Sequence, residues 1–157
     1  MSWPVLAPGP LYGAAFPERV RQPATADVHS LQAFGFPDGL LDAWAAAIPA
    51  LNELQLAAVN DYGVLDGQNL LVTAPTSSGK TMVGKLAALR RVLDRRRALF
   101  LLPTRALVND KYEQFQRTYA DFGVVTIRAT GKISDDIPAL MQGRYDICLQ
   151  MEPRTAW

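Results

Sequence analysis

A short run of small residues ending in Gly-Lys-Thr is the part of the sequence best suited to bind phosphate. It reads Ala74-Pro75-Thr76-Ser77-Ser78-Gly79-Lys80-Thr81. Small side chains at Ser77, Ser78 and Gly79 let backbone N–H groups turn inward around a phosphate, and a helix beginning there adds the positive end of its dipole. Lys80 supplies a point charge for the β- and γ-phosphates, and Thr81 supplies a hydroxyl for Mg²⁺. The run therefore predicts a site for ATP with Mg²⁺.

The first position of this loop departs from the general pattern G-x-x-x-x-G-K-[ST], because Ala74 stands where that pattern has a glycine. The alternative interpretation is a serine-rich turn that caps a helix by chance. The flanking residues favour the phosphate loop, since an apolar run, 69–74, precedes it and a helical apolar stripe follows it directly.

Strands and helices must alternate along the chain to position such a loop. Four apolar runs have the length and branched-residue content of buried strands, at 69–74, 98–103, 124–129 and 146–151. Helical periodicity lies between them, through Met82, Leu86, Leu89 and Leu93, through Val108, Tyr112, Phe115 and Tyr119, and over 136–141, where Pro138 falls in the first turn. Two further helices are predicted upstream, over 37–48 and 51–59. The predicted fold is α/β, a parallel sheet with helices on both faces and ligands beyond the carboxyl ends of the strands.

Composition limits the number of domains and the kinds of ligand and compartment that the chain can have. The chain has 157 residues, enough for one domain, and a net charge of +1, so contact with nucleic acid must come from a local patch. The single cysteine, Cys148, and single histidine, His29, argue against a zinc site and are read as core and surface residues. No run is long enough to span a bilayer and no secretory signal is present, so we expect an intracellular protein, cytoplasmic or nuclear, with no membrane contact.

The first 30 residues differ from the rest because they contain five prolines, which block helix and ladder formation. We expect residues 1–30 to form an extended or partly disordered arm, with a docking segment as the alternative, and residues 31–157 to form the domain.

Alanine followed by Pro-Thr in the phosphate loop resembles superfamily-two nucleic-acid helicases, above all their DExH branch. Residues 54–58, Leu-Gln-Leu-Ala-Ala, are similar to the Q motif of that family, in which a glutamine reads the adenine edge. The resemblance implies this role for Gln55, whose amide can donate and accept at once, and an aromatic partner, Phe34 or Phe36, stacked on the base. An exposed helix residue is the alternative reading of Gln55.

Residues 102–107, Leu-Pro-Thr-Arg-Ala-Leu, closely resemble motif Ia of the same family, which holds the nucleic-acid backbone. Thr104 and Arg105 begin a helix, so N–H groups, a hydroxyl and a guanidinium can converge on one phosphate of RNA or DNA. Thr130, Gly131 and Lys132 follow the third predicted strand, where the family often has a threonine-glycine turn near nucleic acid. The alternatives are a capped helix with a solvated arginine and an ordinary βα turn.

Five arginines, at positions 90, 91, 95, 96 and 97, end the helix behind the phosphate loop. Cations at this end of a helix favour its dipole, so we read the group first as a solvated helix terminus and second as a nucleic-acid patch.

The resemblance covers roughly residues 34–149, and it implies an incomplete RecA-like P-loop NTPase domain. In the family a later strand ends in Asp-Glu, whose carboxylates complete Mg²⁺ binding and activate water, and a second motor domain supplies arginine fingers. We therefore expect the ATP-binding part of a helicase that needs the rest of the motor, from the same gene or a partner chain, and that leaves sheet edges unpaired. The alternatives are a non-catalytic nucleotide or nucleic-acid binding module and a small P-loop kinase or other NTPase.

Overall fold

The elements follow the predicted order with one exception. A computed structural model describes residues 21–131 and 136–152. It contains a 3₁₀ helix Val28–Phe34, α1 Asp38–Ala47, α2 Glu53–Asn60, α3 Lys80–Leu93, β1 Ala98–Leu102, α4 Arg105–Tyr119, a 3₁₀ turn Ala120–Phe122, β2 Thr126–Ala129, α5 Ile137–Met141 and β3 Ile147–Met151. All five predicted α-helices are present, and α5 carries its proline in the first turn.

The three strands form a parallel sheet in the order β1-β3-β2, as the alternation of strands and helices predicted. In the central strand, Ile147, Cys148 and Leu149 are all buried, because β3 is paired on both edges and covered on both faces at this level. The neighbouring strand β1 is covered less completely. Leu99 lies in register with Cys148, yet Leu99 and Leu101 are more than half exposed.

Helices α3 and α4 pack the sheet onto the main core. Phe115 of α4 makes edge-to-face contacts with Phe100 of β1 and with Tyr119, each with ring centroids 5.3 Å apart. The Tyr119 hydroxyl accepts a hydrogen bond of 3.3 Å from the Trp44 indole on α1, and burial raises the pKa of Tyr119 to about 12. One aromatic network therefore joins the sheet, α4 and the N-terminal helices.

Packing begins inside the predicted N-terminal arm. Residues 1–20 of that arm lie outside the described part of the chain. Within residues 21–30, Ala24 and Val28 are buried, and the Asp27 side chain accepts from the His29 amide to start the 3₁₀ helix. The core accordingly includes residues before position 30.

The strand predicted at 69–74 is the exception, and this prediction is wrong for the described structure. The segment has no ladder partner within residues 21–131 and 136–152. A cavity of about 530 Å³, lined by Leu70 and Val72 on one side and by Ala98 and Phe100 on the other, lies between the segment and β1. Leu71 is 92% exposed. The segment is apolar, as the sequence shows, but a strand also needs a neighbouring strand for its backbone hydrogen bonds. None of the described strands pairs with residues 69–74.

Candidate nucleotide site and nucleic-acid interface

The predicted phosphate loop leads directly into a helix, as its chemistry requires. Helix α3 begins at Lys80, with Gly79 as its N-cap at φ +89°, and Ser77 is also left-handed at φ +63°. The free N–H groups of the first turn therefore open into the loop, where the helix dipole favours an anion. Thr76, Ser77 and Thr81 are exposed, so their hydroxyls are accessible to a ligand.

Gly79 is required both by its backbone and by its neighbours. A Cβ at this position would lie 2.5 Å from the Gln55 amide nitrogen and 2.7 Å from the Asn52 amide nitrogen. The left-handed φ also disfavours any L side chain. The glycine of the Gly-Lys-Thr core thus lets helix α2 approach the loop closely.

Lys80 folds back across its own loop. Its ammonium group donates to the carbonyl oxygens of Ala74 and Pro75 and lies 3.5 Å from the Ser78 hydroxyl. The loop therefore concentrates carbonyl dipoles on the one cation that the sequence predicts for triphosphate. Phosphate oxygens carry full charge and are stronger partners for an ammonium group than carbonyls are, so the residues present fit this ligand.

Two amide side chains of α2 hold the other side of the loop. Asn52 and Gln55 form a capping box, in which each side-chain oxygen accepts from the other residue's backbone N–H at 3.0 Å. The remaining amide donors reach the loop, from Asn52 to the Ser78 carbonyl at 3.0 Å and from Gln55 to the Gly79 carbonyl at 3.3 Å. Helix α2 is therefore anchored on the phosphate loop through its N-terminus.

This anchoring bears on the prediction for Gln55. The residue is only 5% exposed, so its reading as an exposed helix residue is wrong. Contact between Gln55 and adenine stays a prediction. The bonds described above leave one amide hydrogen and one carbonyl lone pair of Gln55 for such a contact. Asn52 was missed from the sequence, although the spacing Asn-x-x-Gln at a helix start is a recognisable capping signal.

The predicted aromatic partners for the base do not lie in an accessible position. Phe36 is buried and packs against Trp44 with ring centroids 5.4 Å apart. Phe34 is also buried, with the Arg21 guanidinium 4.9 Å above its ring. Both rings belong to the core, so the expectation that either stacks on adenine is wrong for this structure.

The residues predicted to hold a nucleic-acid backbone meet at one edge of the sheet. Thr104 caps α4 by accepting from the Leu107 amide at 3.3 Å, and Arg105 follows it with an exposed side chain. A guanidinium nitrogen of Arg105 donates to the Thr130 carbonyl at 3.5 Å, which links the two predicted segments. Gly131 is left-handed at φ +80°, and a Cβ there would meet nothing within 4 Å. Lys132 lies outside the described residues.

His29 and Cys148 take the surface and core positions that the sequence predicts. The exposed His29 ring lies 3.2 Å from Asp27 and 2.9 Å from Asp42, and its hydrogen bonds to Asp42 and then to Asp27 raise the pKa of the imidazole. Burial raises the pKa of the Cys148 thiol. Within the described ranges no group of three metal-ligating side chains comes together, and no helix there is long and apolar enough to cross a bilayer.

Comparison with known proteins agrees with this geometry. The sequence model of the DEAD/DEAH box helicases matches residues 52–155. The ATP-dependent DNA helicase Hel308 of Methanocella arvoryzae is 38% identical over 80 residues, which are 50% of this chain and 11% of that protein. Hel308 of Pyrococcus abyssi is 35% identical over 88 residues, 55% of this chain and 12% of that protein.

A plant relative shows the same relation. The chloroplastic DExH-box ATP-dependent RNA helicase DExH15 of Arabidopsis thaliana is 34% identical over 86 residues, 55% of this chain and 7% of that protein. The matched segment thus spans about a tenth of each relative's length. The family match covers more than half of the chain and includes the phosphate loop together with Asn52 and Gln55, which bond to it. The chain therefore belongs to the DEAD/DEAH box helicase family.

Proposed function

We propose that this chain is the ATP-binding part of an ATP-dependent helicase that couples ATP hydrolysis to the unwinding of nucleic-acid duplexes. The observation that carries the proposal is the phosphate loop at the start of α3, whose carbonyl groups accept hydrogen bonds from the capping-box residues of α2. A chance serine-rich turn gives no reason for a second helix to be anchored on its carbonyls. Membership of the helicase family supports the same reading.

In this proposal the loop residues divide the work of holding Mg²⁺-ATP. Residues 74–79 surround the phosphates with backbone N–H groups, and Lys80 exchanges its carbonyl partners for β- and γ-phosphate oxygens. Thr81 offers its hydroxyl to Mg²⁺, and Gln55 uses its remaining amide hydrogen and lone pair on the adenine edge. Because Gln55 also bonds to the Gly79 carbonyl, base recognition and loop geometry are coupled through one side chain.

The second proposed contact is with RNA or DNA. Arg105 and the open turn at Gly131 lie at the carboxyl edge of the sheet, and the Arg105–Thr130 hydrogen bond fixes their spacing. Together with Thr104 and Lys132 they offer hydroxyl, guanidinium and ammonium donors to a phosphate backbone. Such contacts hold a strand without reading its sequence.

We expect these 157 residues to bind ATP with little hydrolysis. The sequence contains no Asp-Glu pair, the carboxylates that hydrolysis in this family uses. The arginine fingers of the second motor domain are a further requirement, and lack of an arginine finger alone typically lowers the rate by about 10³- to 10⁵-fold. We propose that the rest of the motor supplies them, in the same polypeptide or in a partner chain.

The nucleotide site is tested by replacing Lys80. We expect Lys80→Ala to weaken binding of a fluorescent ATP analogue with Mg²⁺ by about 10-fold or more, because it removes charge-assisted hydrogen bonds to phosphate. Lys111→Ala is the matched control, since this lysine pairs with Gln114 and Asp110 on α4. Undiminished affinity in the Lys80 variant would overturn the proposal. Robust hydrolysis by the unmodified chain, stimulated by nucleic acid, would overturn the expectation of binding without turnover.

The nucleic-acid contact is tested on a single helix. Arg105→Gln should weaken binding of a labelled oligonucleotide by several-fold, and the affinity should depend less steeply on salt. Arg117→Gln removes another exposed arginine, from the last turn of the same helix, and is the control. Equal binding by the two variants would remove Arg105 from the interface.

A further inference from the structure

The five arginines in the last turn of α3 and just after it form two groups that differ in their contacts. Arg90 forms an ion pair of 3.0 Å with Asp94, and the Arg91 guanidinium packs directly over Gly67. These two serve the packing of the helix. The three arginines of the following turn, Arg95, Arg96 and Arg97, are exposed, and no carboxylate within residues 21–131 and 136–152 forms an ion pair with them.

The turn that carries these arginines lines a cavity of about 280 Å³. The cavity is completed by Val125, Gly143, Tyr145 and Asp146. The Arg97 guanidinium lies 5.3 Å from the centre of the Tyr145 ring and fills the space that a Cβ on Gly143 would occupy. An arginine and an aromatic ring are therefore held together in one wall of the cavity.

The charge of this cavity is not neutralised from within. Asp146 is the only carboxylate among the described residues of its lining, and the Asp146 Oδ2 atom already accepts from the Val125 amide at 2.8 Å. Three guanidinium groups face one engaged carboxylate, so the cavity favours an anion. Guanidinium groups match phosphate in shape and charge, and this match is closer than that of an ammonium group.

The position of this cavity separates it from the proposed helicase contacts. Its residues directly precede β1, β2 and β3, so the cavity lies at the amino edge of the sheet. Arg105 and Gly131 follow β1 and β2, and they therefore lie at the carboxyl edge. A five-residue strand separates the two edges by roughly 13–16 Å, so one phosphate cannot reach both.

We propose that Arg95, Arg96, Arg97 and Tyr145 form a second binding site for single-stranded nucleic acid, in which guanidinium groups hold the phosphodiester backbone and the tyrosine supports a base. The combination of a basic groove and an aromatic platform is how proteins bind single strands without reading sequence. The volume suits one nucleotide unit and lies below the roughly 300–1,000 Å³ of pockets for drug-sized ligands. An acidic peptide fits less well, since Val125 is the only aliphatic residue in the part of the lining that the structure describes.

The test compares matched arginine variants of the full chain by fluorescence anisotropy with a labelled 15-nucleotide oligothymidylate. Arg96→Gln should weaken binding by about 3-fold or more, and the slope of log K against log salt should become less negative by about 0.7. Arg117→Gln removes the same charge outside the cavity and should change neither quantity. Identical behaviour of these two variants would overturn the proposal. Oligouridylate, used in parallel, separates DNA from RNA as the source of the phosphodiester.

A second variant tests the aromatic part. Tyr145→Leu should weaken oligothymidylate binding by about 5-fold or more, whereas Tyr62→Leu, at an exposed tyrosine outside the cavity, should not. If Tyr145→Leu does not fold, Arg95→Asn combined with Arg96→Gln tests the guanidinium part of the site further, because asparagine tolerates the left-handed φ of +60° at position 95. The double variant should bind oligothymidylate more weakly than Arg96→Gln alone, and equal binding would overturn the proposal. Tighter, Arg96-dependent binding of a 15-residue polyglutamate would overturn the proposal in favour of an acidic protein partner.

The outcome is independent of the proposed function. Binding of ATP depends on Lys80, and the carboxyl-edge contact depends on Arg105. If one oligonucleotide contacts both edges, the effects of Arg96→Gln and Arg105→Gln on its affinity should multiply in the double variant, because the two residues are distant from each other.

Discussion

The two flanks of the phosphate loop differ in how they are held. On the helix side, Gly79 and Lys80 continue directly into α3, and Asn52 and Gln55 bond to the loop carbonyls. On the strand side, residues 69–74 have no ladder partner in the described part of the chain, and a cavity of about 530 Å³ separates them from β1. The difference teaches that a helix start and a neighbouring cap can hold the loop in shape although the segment before it has no ladder partner among the described residues.

The largest effect should separate the central strand from the unpaired segment. Leu149→Ala in β3 removes a fully buried side chain and should lower the free energy of unfolding by about 2–5 kcal/mol. Leu71→Ala removes the same atoms from a residue that is 92% exposed and should change it by less than about 0.5 kcal/mol. Urea unfolding of both variants checks this. A large cost at Leu71 would show that residues 69–74 are packed in solution.

The next effect tests how closely α2 approaches the loop. Gly79→Ala introduces a left-handed alanine, at about 1–2 kcal/mol, and also a Cβ within 2.7 Å of both amide nitrogens of α2. Gly131→Ala carries only the first cost, because nothing lies within 4 Å of its Cβ. Gly79→Ala should therefore be the more destabilising in thermal or urea unfolding. Equal costs would mean that Asn52 and Gln55 do not contact the loop.

A smaller effect distinguishes the two helix caps. Asn52→Ala and Thr104→Ala each remove a side-chain N-cap and should each cost about 0.5–2 kcal/mol of stability. Only Asn52→Ala also removes a hydrogen bond to the phosphate loop, so only this variant should weaken binding of the ATP analogue. Titration of both purified variants measures the difference. If Thr104→Ala weakens ATP binding as much, the anchoring by α2 has no special role.

The smallest effect concerns the N-terminal layer, which lies outside both flanks in sequence. NMR titration should place the pKa of His29 above its ordinary 6.5, and Asp42→Asn should lower it, because the hydrogen bond to Asp42 is the largest cause of the shift. Hydrogen bonds to His29 also hold the pKa of Asp27 below its ordinary 3.8. An unchanged His29 pKa in the Asp42 variant would contradict the pairing.

The sign of the stability change follows from these directions. A raised histidine pKa stabilises the folded state fully below the unfolded pKa, and that contribution is lost as the pH rises through the folded pKa. The lowered Asp27 pKa stabilises above 3.8, and its contribution is lost as the pH falls. Both contributions are therefore present together between about pH 4 and 6.5.

Much of the site was predictable because its signals are local. Gly79-Lys80-Thr81 ahead of an apolar helical stripe predicts a phosphate-binding helix start from neighbours in sequence alone. Thr104 and Arg105 likewise predict the start of a helix, and the structure confirms that a helix begins at Arg105 with Thr104 as its N-cap. The helices were predicted well for the same reason, because the 3.6-residue spacing of apolar side chains can be recognised within each segment.

Other features needed contacts between distant parts of the chain. Phe34 and Phe36 look like available aromatic rings in the sequence, and only the packing against Trp44 and Arg21 shows that they are buried. The division of the arginine run into packing residues and a cavity depends on Asp94, Gly67 and Tyr145 in the same way.

The sequence by itself determined the phosphate loop, the helices and the alternation that produces a parallel sheet, because periodicity, caps and turn residues act over a few positions. Only the tertiary structure decided the strand order β1-β3-β2, the lack of a ladder partner for 69–74 among the described residues, and the hydrogen bonds from Asn52 and Gln55 to the loop. The physical reason is that a helix satisfies its backbone hydrogen bonds internally, whereas a strand or a buried amide depends on a partner whose position only the folded chain defines.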